Sequence, residues 1–257
     1  MRHLQKITLL SNIKIMFKQG IFFQKQWIFL GFLLILNISS FMSGLLAGQE
    51  IITAERYLEM VSERYGSVRD YEANIVMRSG NSGDMIGAVT HLSPSFLRID
   101  FTRPMDQAII FNGELLTIYL PEFRMVLNQS VNQTRRSGAS GATLASAQGL
   151  TLLRRNYVST YDVGPSPVPL DNSSGEMVIR LRLTRRSVSE GFREIHLSIN
   201  PNTMLIRRIE GQTIAGSEVR FDFTNIRINQ GIPEQRFIFD HPPASNIYHN
   251  FLFRDSD

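Results

Sequence analysis

The chain of 257 residues contains no cysteine, so no disulfide frame supports it and no thiolate can serve as nucleophile or metal ligand. Lysine stops at Lys25, which removes a phosphate-loop lysine and a lysine Schiff base from everything beyond it. His91, His196, His241 and His249 stand apart with no second histidine on one helical face, so no zinc site is expected. The nearest approach to a nucleophile elbow, Gly138-Ala139-Ser140-Gly141-Ala142, ends in alanine and lies in a polar stretch rather than between a strand and a helix. Asp100 and Asp106 read as solvated strand-edge charges. With no catalytic constellation, no enzyme activity, cofactor or metal is expected.

What is present begins with a targeting pattern. Residues 1 to 26 carry Arg2, Lys6, Lys14, Lys18 and Lys25 and no acid, and Trp27 to Ala47 then runs almost entirely apolar. A positive stretch, an apolar stretch and small residues at Ala47-Gly48 are the layout of a secretory signal. The expected division is a signal peptide over 1–48 and a mature domain over 49–257, with Met16 offering a better-proportioned start. Gln49 follows Leu46-Ala47-Gly48 where a bacterial lipoprotein would have its lipidated cysteine, so acylation there is excluded. The alternative is an uncleaved anchor, since about 20 apolar residues span a bilayer. Either reading places the remainder outside the cytoplasm.

The sequence pI of about 9.6 is a product of that leader. From Gln49 onward 22 arginines face 23 carboxylates, an interspersed near-neutral balance without the basic stripe that nucleic acid requires.

The mature part reads as mainly β. Thr53 is a candidate helix cap, and Ala54, Tyr57, Leu58, Val61 and Tyr65 recur at helical spacing up to Gly66. The period then changes to two. Tyr71 to Arg78, Leu97 to Phe101, Gln107 to Phe111, Leu115 to Leu120, Phe123 to Gln129, Met177 to Thr184, Ile195 to Ile199, Met204 to Gln212, Val219 to Ile228 and Phe237 to Phe239 make about ten expected strands. Asn112-Gly113 between two apolar runs is a hairpin signal. A second, weaker helical pattern spans Ala142 to Arg155, interrupted by Gly149.

The run Leu92-Ser93-Pro94-Ser95-Phe96-Leu97-Arg98-Ile99-Asp100-Phe101-Thr102-Arg103-Pro104-Met105-Asp106-Gln107, followed by Ile109-Ile110-Phe111-Asn112-Gly113-Glu114-Leu115-Leu116-Thr117-Ile118-Tyr119, resembles the LolA-like periplasmic lipoprotein carriers. The opening helix, Leu152-Leu153 in mid-chain and the closing Phe239-Asp240-His241-Pro242-Pro243 follow the same family order. The resemblance implies a strongly curved antiparallel sheet, an incomplete β-barrel, with helices forming a lid. It also implies a periplasmic carrier of lipoprotein acyl chains, served by an inner-membrane lipoprotein-releasing transporter and an outer-membrane acceptor. On that reading the cavity lining is Leu97, Ile99, Phe101, Ile109, Phe111, Leu116 and Ile118 from the first strands, with Leu181, Leu197, Phe221 and Phe223 from the later ones. The lid residues are Leu58, Val61, Leu144, Leu150, Leu152 and Leu153. Two positions depart from the family pattern: Ser93 stands where such carriers often place a lid-latching arginine, and Thr117 where an aromatic is common.

Each alternating apolar face would also suit the plain core of a β-sandwich. Three functions therefore remain open: a lipoprotein carrier, another lipid-binding or envelope-sensing module that could keep its anchor, and a hydrolase using the Ser140 loop or the carboxylates.

Overall fold

The computed structural model describes residues 52–80, 83–131, 144–172, 174–188 and 190–250. The leader, the expected cleavage site and the Ser140 loop lie outside these residues. The chain divides into residues 1–50 and 51–257, and the fold described is that of the second unit.

Helix α1 spans Ala54–Gly66, and Thr53 caps it by accepting the backbone N–H of Arg56 at 3.2 Å. Strands β1 (Asp70–Ser79), β2 (Met85–Leu92), β3 (Phe96–Arg103), β4 (Ala108–Phe111), β5 (Leu115–Leu120) and β6 (Met125–Ser130) follow as a meander. Helix α2 (Ala147–Asn156) runs directly into β7 (Tyr157–Tyr161). Then come β8 (Val168–Pro169), β9 (Met177–Arg185), β10 (Phe192–Ile199), β11 (Ile206–Thr213), β12 (Glu218–Ile228) and β13 (Asn246–His249).

The strands form one curved, unclosed sheet in the order β13-β6-β5-β4-β3-β2-β1-β12-β11-β10-β9-β7, with β8 also paired to β9. Among the described residues every pairing is antiparallel except β13 on β6. The β1–β12 pair joins the two meanders, setting Ile75 opposite Phe223 and Met77 opposite Phe221.

The Asn112-Gly113 hairpin forms as its chemistry requires. Gly113 takes φ +97, and Asn112 Oδ1 accepts the backbone N–H groups of Glu114 at 3.1 Å and Leu115 at 2.8 Å. Gly87 in β2 has a different reason: a Cβ there would run into the backbone carbonyl of Asp100 on β3.

Four strands carry no alternation strong enough to read from sequence. Strand β2 is interrupted by Gly87-Ala88, β7 directly follows a helix, β8 lies in a proline-rich loop, and β13 is a short exposed edge. The expected strand at Phe237–Phe239 is instead the end of a 3-10 helix, Glu234–Phe237. There Phe237 is 1% exposed and packs on Phe96, ring centroids 5.3 Å apart, while Phe239 meets Tyr119. This segment covers the outer face of β3–β5, and Arg98 fastens it by donating to the carbonyl oxygens of Arg236 at 3.0 Å and Ile238 at 3.4 Å. Helix α2 starts later than the pattern from Ala142, because Ser146 turns its hydroxyl to the N–H of Gly149 and caps the helix there.

Candidate functional site: the inner sheet face and its two helices

Register carries one apolar face across the sheet. Leu127, Ile118, Ile109, Ile99, Val89 and Ala73 are successive cross-strand partners from β6 to β1. On the other side of the β1–β12 junction, Met77, Phe221, Ile209, Leu197, Leu181 and Tyr161 do the same. A further row runs from Leu116 through Phe111 and Leu97 to His91 and Tyr71. All eleven expected lining residues therefore share this face.

Their burial divides them. Leu97, Ile99, Phe101, Leu181, Leu197, Phe221 and Phe223 are buried in one cluster with α1 and α2. Ile109, Phe111, Leu116 and Ile118, at the β4–β5 end, are only half-buried. On the helices, Leu58, Val61, Leu150 and Leu153 point into the cluster, joined by Leu144 just before α2. Leu152 does not belong with them: the buried side of α2 is Gly149, Leu150 and Leu153, and at 3.6 residues per turn Leu152 is rotated off it.

Beneath the helices the inner face is packed rather than open in this conformation. Two small voids lie beneath the helices, of about 10 Å³ and about 20 Å³. Ligand pockets are on the order of 300–1,000 Å³. The space between sheet and lid is filled by the helices' own leucine, valine and tyrosine side chains, so acyl binding here requires the helices to move.

The helices are held by few polar contacts. Glu59 on α1 accepts from Arg154 Nη2 on α2 at 2.7 Å and from Arg56 at 2.6 Å. Tyr161 on β7 donates to the carbonyl of Ile52 at 2.8 Å, at the start of α1. The Tyr65 hydroxyl accepts the backbone N–H of Ile206 at 3.1 Å. Ser93 makes no latch of the arginine type; its backbone N–H donates to the carbonyl of Arg69 at 2.7 Å.

Among the buried apolar groups sit polar atoms without partners: Tyr57 Oη, Tyr71 Oη and His91 Nδ1. Burial pushes the Tyr57 and Tyr65 hydroxyls up to about 12 and raises that of Tyr71 further. Burial lowers His91 to about 4, against the opposing pull of the Asp70 carboxylate, so the imidazole is neutral at neutral pH. The outer face of β11 and β12, by contrast, is ionic. Arg208 is buried there, its Nη2 2.8 Å from Asp171 and its Nε 2.6 Å from Asp222. Sequence reasoning missed Tyr71, His91 and the Glu59–Arg154 pair, since pairing across strands and helices is not encoded in local spacing.

Among the described residues no group of three or more His, Asp or Glu could hold a metal, and no helix is long and apolar enough to cross a membrane.

No curated protein matches the chain. Among solved structures, it is similar to an uncharacterized conserved protein from Thermus thermophilus, with 12% identity over 76% of this chain and 98% of that one, at a TM-score of 0.49. A LolA superfamily protein from Nitrosomonas europaea is 16% identical over 74% of this chain and 100% of its own, at 0.38. The lipoprotein LppX of Mycobacterium tuberculosis is 9% identical over 70% and 97%, at 0.45. Residues 81–240 match the family model described as outer membrane lipoprotein carrier protein LolA, a span that takes in β2 through the 3-10 helix ending at Phe237, and the chain belongs to that family.

Proposed function

We propose that this chain is an exported, non-enzymatic carrier that takes lipoprotein acyl chains between its inner sheet face and its two helices, and moves them through the periplasm toward the outer membrane. The observation that supports it is the set of apolar cross-strand rows on the inner face of both meanders, covered by helices held largely by side-chain contacts. An acyl chain of about 15 methylenes gains roughly 12 kcal/mol on leaving water. A carrier must release what it binds, and the cost of displacing Leu58, Val61, Leu150 and Leu153 from the sheet offsets part of that gain. A releasing transporter in the inner membrane and an acceptor at the outer membrane complete this reading.

Cargo transfer requires a protein free of the inner membrane, hence a signal removed near Gln49 and a mature domain over 49–257. A second reading has its own observation: the apolar run Trp27 to Ala47 is long enough to remain as an anchor, making the domain a fixed lipid-binding or envelope-sensing module. N-terminal sequencing of the envelope-fraction protein separates the two, since a full-length, detergent-extracted species would end the shuttle reading. Mass spectrometry of lipids and lipoproteins co-purified with the native protein tests the binding itself. Triacylated peptides are the expected cargo, and a preparation free of any acyl compound, unable to bind a fluorescent acyl probe, would reduce the inner face to ordinary core.

A further inference from the structure

The Leu116–Phe111–Leu97 row of the inner face does not stay apolar. Before it reaches Ile228 of β12 it passes through His91 and Tyr71, cross-strand partners in β2 and β1 whose rings stack with centroids 5.1 Å apart and planes 15° from parallel. Both are more than nine-tenths buried, and Tyr71 Oη and His91 Nδ1 have no hydrogen-bond partner. Buried polar atoms are nearly always paired, and leaving two unpaired side by side costs stability that an apolar pair would not cost. Both residues line the void of about 20 Å³, closed on another side by Ser146, Ala147 and Gln148 at the start of α2. Tyr71 also lines the neighbouring void of about 10 Å³, whose walls include Ala73, Phe223 and Ile228. A polar recess thus adjoins an apolar one, with the tyrosine between them.

The charge around the recess selects its occupant. Among the described residues, Asp70 is the acidic side chain whose field reaches His91, and its carboxyl oxygens accept the backbone N–H groups of Gln230 at 2.6 Å and Gly231 at 3.0 Å. An anion would be repelled by it. The ten-residue helix α2 presents its N-terminus, where a partial negative charge is favoured. A neutral, dipolar oxygen satisfies both conditions, and the small volume admits one such group rather than a chain.

Resting on the carrier reading above, we infer that Tyr71 and His91 form a polar subsite for the neutral ester or amide carbonyl at the head of an acyl chain, with the hydrocarbon lying along the Leu97–Phe111–Leu116 row. The Tyr71 hydroxyl donates to the carbonyl oxygen and the imidazole supplies the second hydrogen-bonding atom. The subsite distinguishes an esterified chain from a free fatty acid, whose carboxylate the field of Asp70 disfavours.

The test uses the 49–257 chain with its leader removed by the cell, displacing N-phenyl-1-naphthylamine with decane, methyl decanoate and decanoate. Methyl decanoate should bind about three- to tenfold more tightly than decane, the range one net hydrogen bond supplies, and more tightly than decanoate. Tyr71→Phe keeps the ring stack and should bring the ratio of methyl decanoate affinity to decane affinity down to about one. With methyl decanoate carrying 13C at its carbonyl, the bound carbonyl stretch should lie at lower frequency in the natural protein than in Tyr71→Phe. His91→Phe gives the same comparison should Tyr71→Phe fold poorly. Equal affinity for ester and alkane, or a carbonyl stretch indifferent to Tyr71, overturns the subsite and leaves the carrier reading standing. Failure to bind decane or any acyl probe overturns both.

Discussion

Arg154 of α2 meets Glu59 of α1 across 2.7 Å, and Arg56 holds the same carboxylate at 2.6 Å, so one glutamate ties together the two helices that cover the inner face. All three side chains are more than a third exposed or close to it, so the tie contributes little to global stability. Its effect falls on the helices' separation. Glu59→Gln should leave the thermal midpoint nearly unchanged and speed the uptake of a fluorescent acyl probe in stopped-flow mixing. The hydrogen bond from Arg56 and then the charge of Arg154 hold the Glu59 carboxyl below its ordinary 4.5. A depressed carboxyl stabilises above the unfolded value and loses that contribution as pH falls through the folded one, so uptake by the natural protein should quicken below pH 4.5 and uptake by Glu59→Gln should not.

His91 carries the opposite kind of shift. Its folded value of about 4 lies below the ordinary 6.5, so between those values the unfolded chain binds the proton and the folded chain does not. Stability present above pH 6.5 therefore falls as pH drops toward 4, by about 3 kcal/mol in all for a shift of this size. Urea denaturation of the natural protein and His91→Phe at about pH 7 and about pH 4.5 isolates the contribution, which emerges as the difference between the two pH dependences. Parallel curves for the two proteins would place His91 outside the buried recess.

The inward row was legible because it rests on the two-residue period, which the sheet obeys from Leu97 and Ile99 through Leu197 to Phe221 and Phe223. Helix α1 was legible to the residue, its cap at Thr53 and its buried set both following from spacing. What escaped was decided by distant partners. Gly87 sits in a strand because β3's backbone passes too close for any side chain, and Phe237 leaves the strand pattern because Phe96 offers it a buried ring to pack on. The filled cavity escaped too, because period alone tells which face turns inward and says nothing of how far Leu58 and Leu150 on the helices fill the space above it.

Leu97 and Ile118 lie on the same face and should respond differently to charge. Leu97 is 3% exposed beneath the helices, so Leu97→Glu should cost on the order of 4 kcal/mol or prevent folding. Ile118 is half-buried, so Ile118→Glu can keep its carboxylate hydrated and should fold, with weakened acyl-probe binding. Thermal unfolding and probe titration of the pair check this. A stable Leu97→Glu protein with normal binding would mean that the inner face is not where acyl chains lie.

On the outer face Arg208 bridges Asp171, in the loop after β8, to Asp222 of β12. Arg208→Met removes the bridge and leaves Asp222 with Arg220 at 2.7 Å and Arg78 at 3.1 Å, so the loss should be about 2 kcal/mol, less than for a buried carboxylate left alone. The same substitution frees the 162–176 loop, and limited proteolysis should cut there first, with acyl-probe binding unaltered.

The seam between β1 and β12 sets an order of assembly. Within each meander, strands next to one another in the sheet follow one another in the chain, save that β7 pairs with β9 across the short β8, but Tyr71 must wait for Ile228 and Met77 for Phe221 before the two halves become one sheet. Such distant contacts close late, after the loop entropy between them has been overcome. As the chain emerges N-terminus first, β1 keeps an open edge until β12 arrives, and an unpaired apolar edge invites pairing with another copy. A break in synthesis anywhere before Glu218 therefore leaves a half-sheet prone to aggregate rather than a smaller working domain.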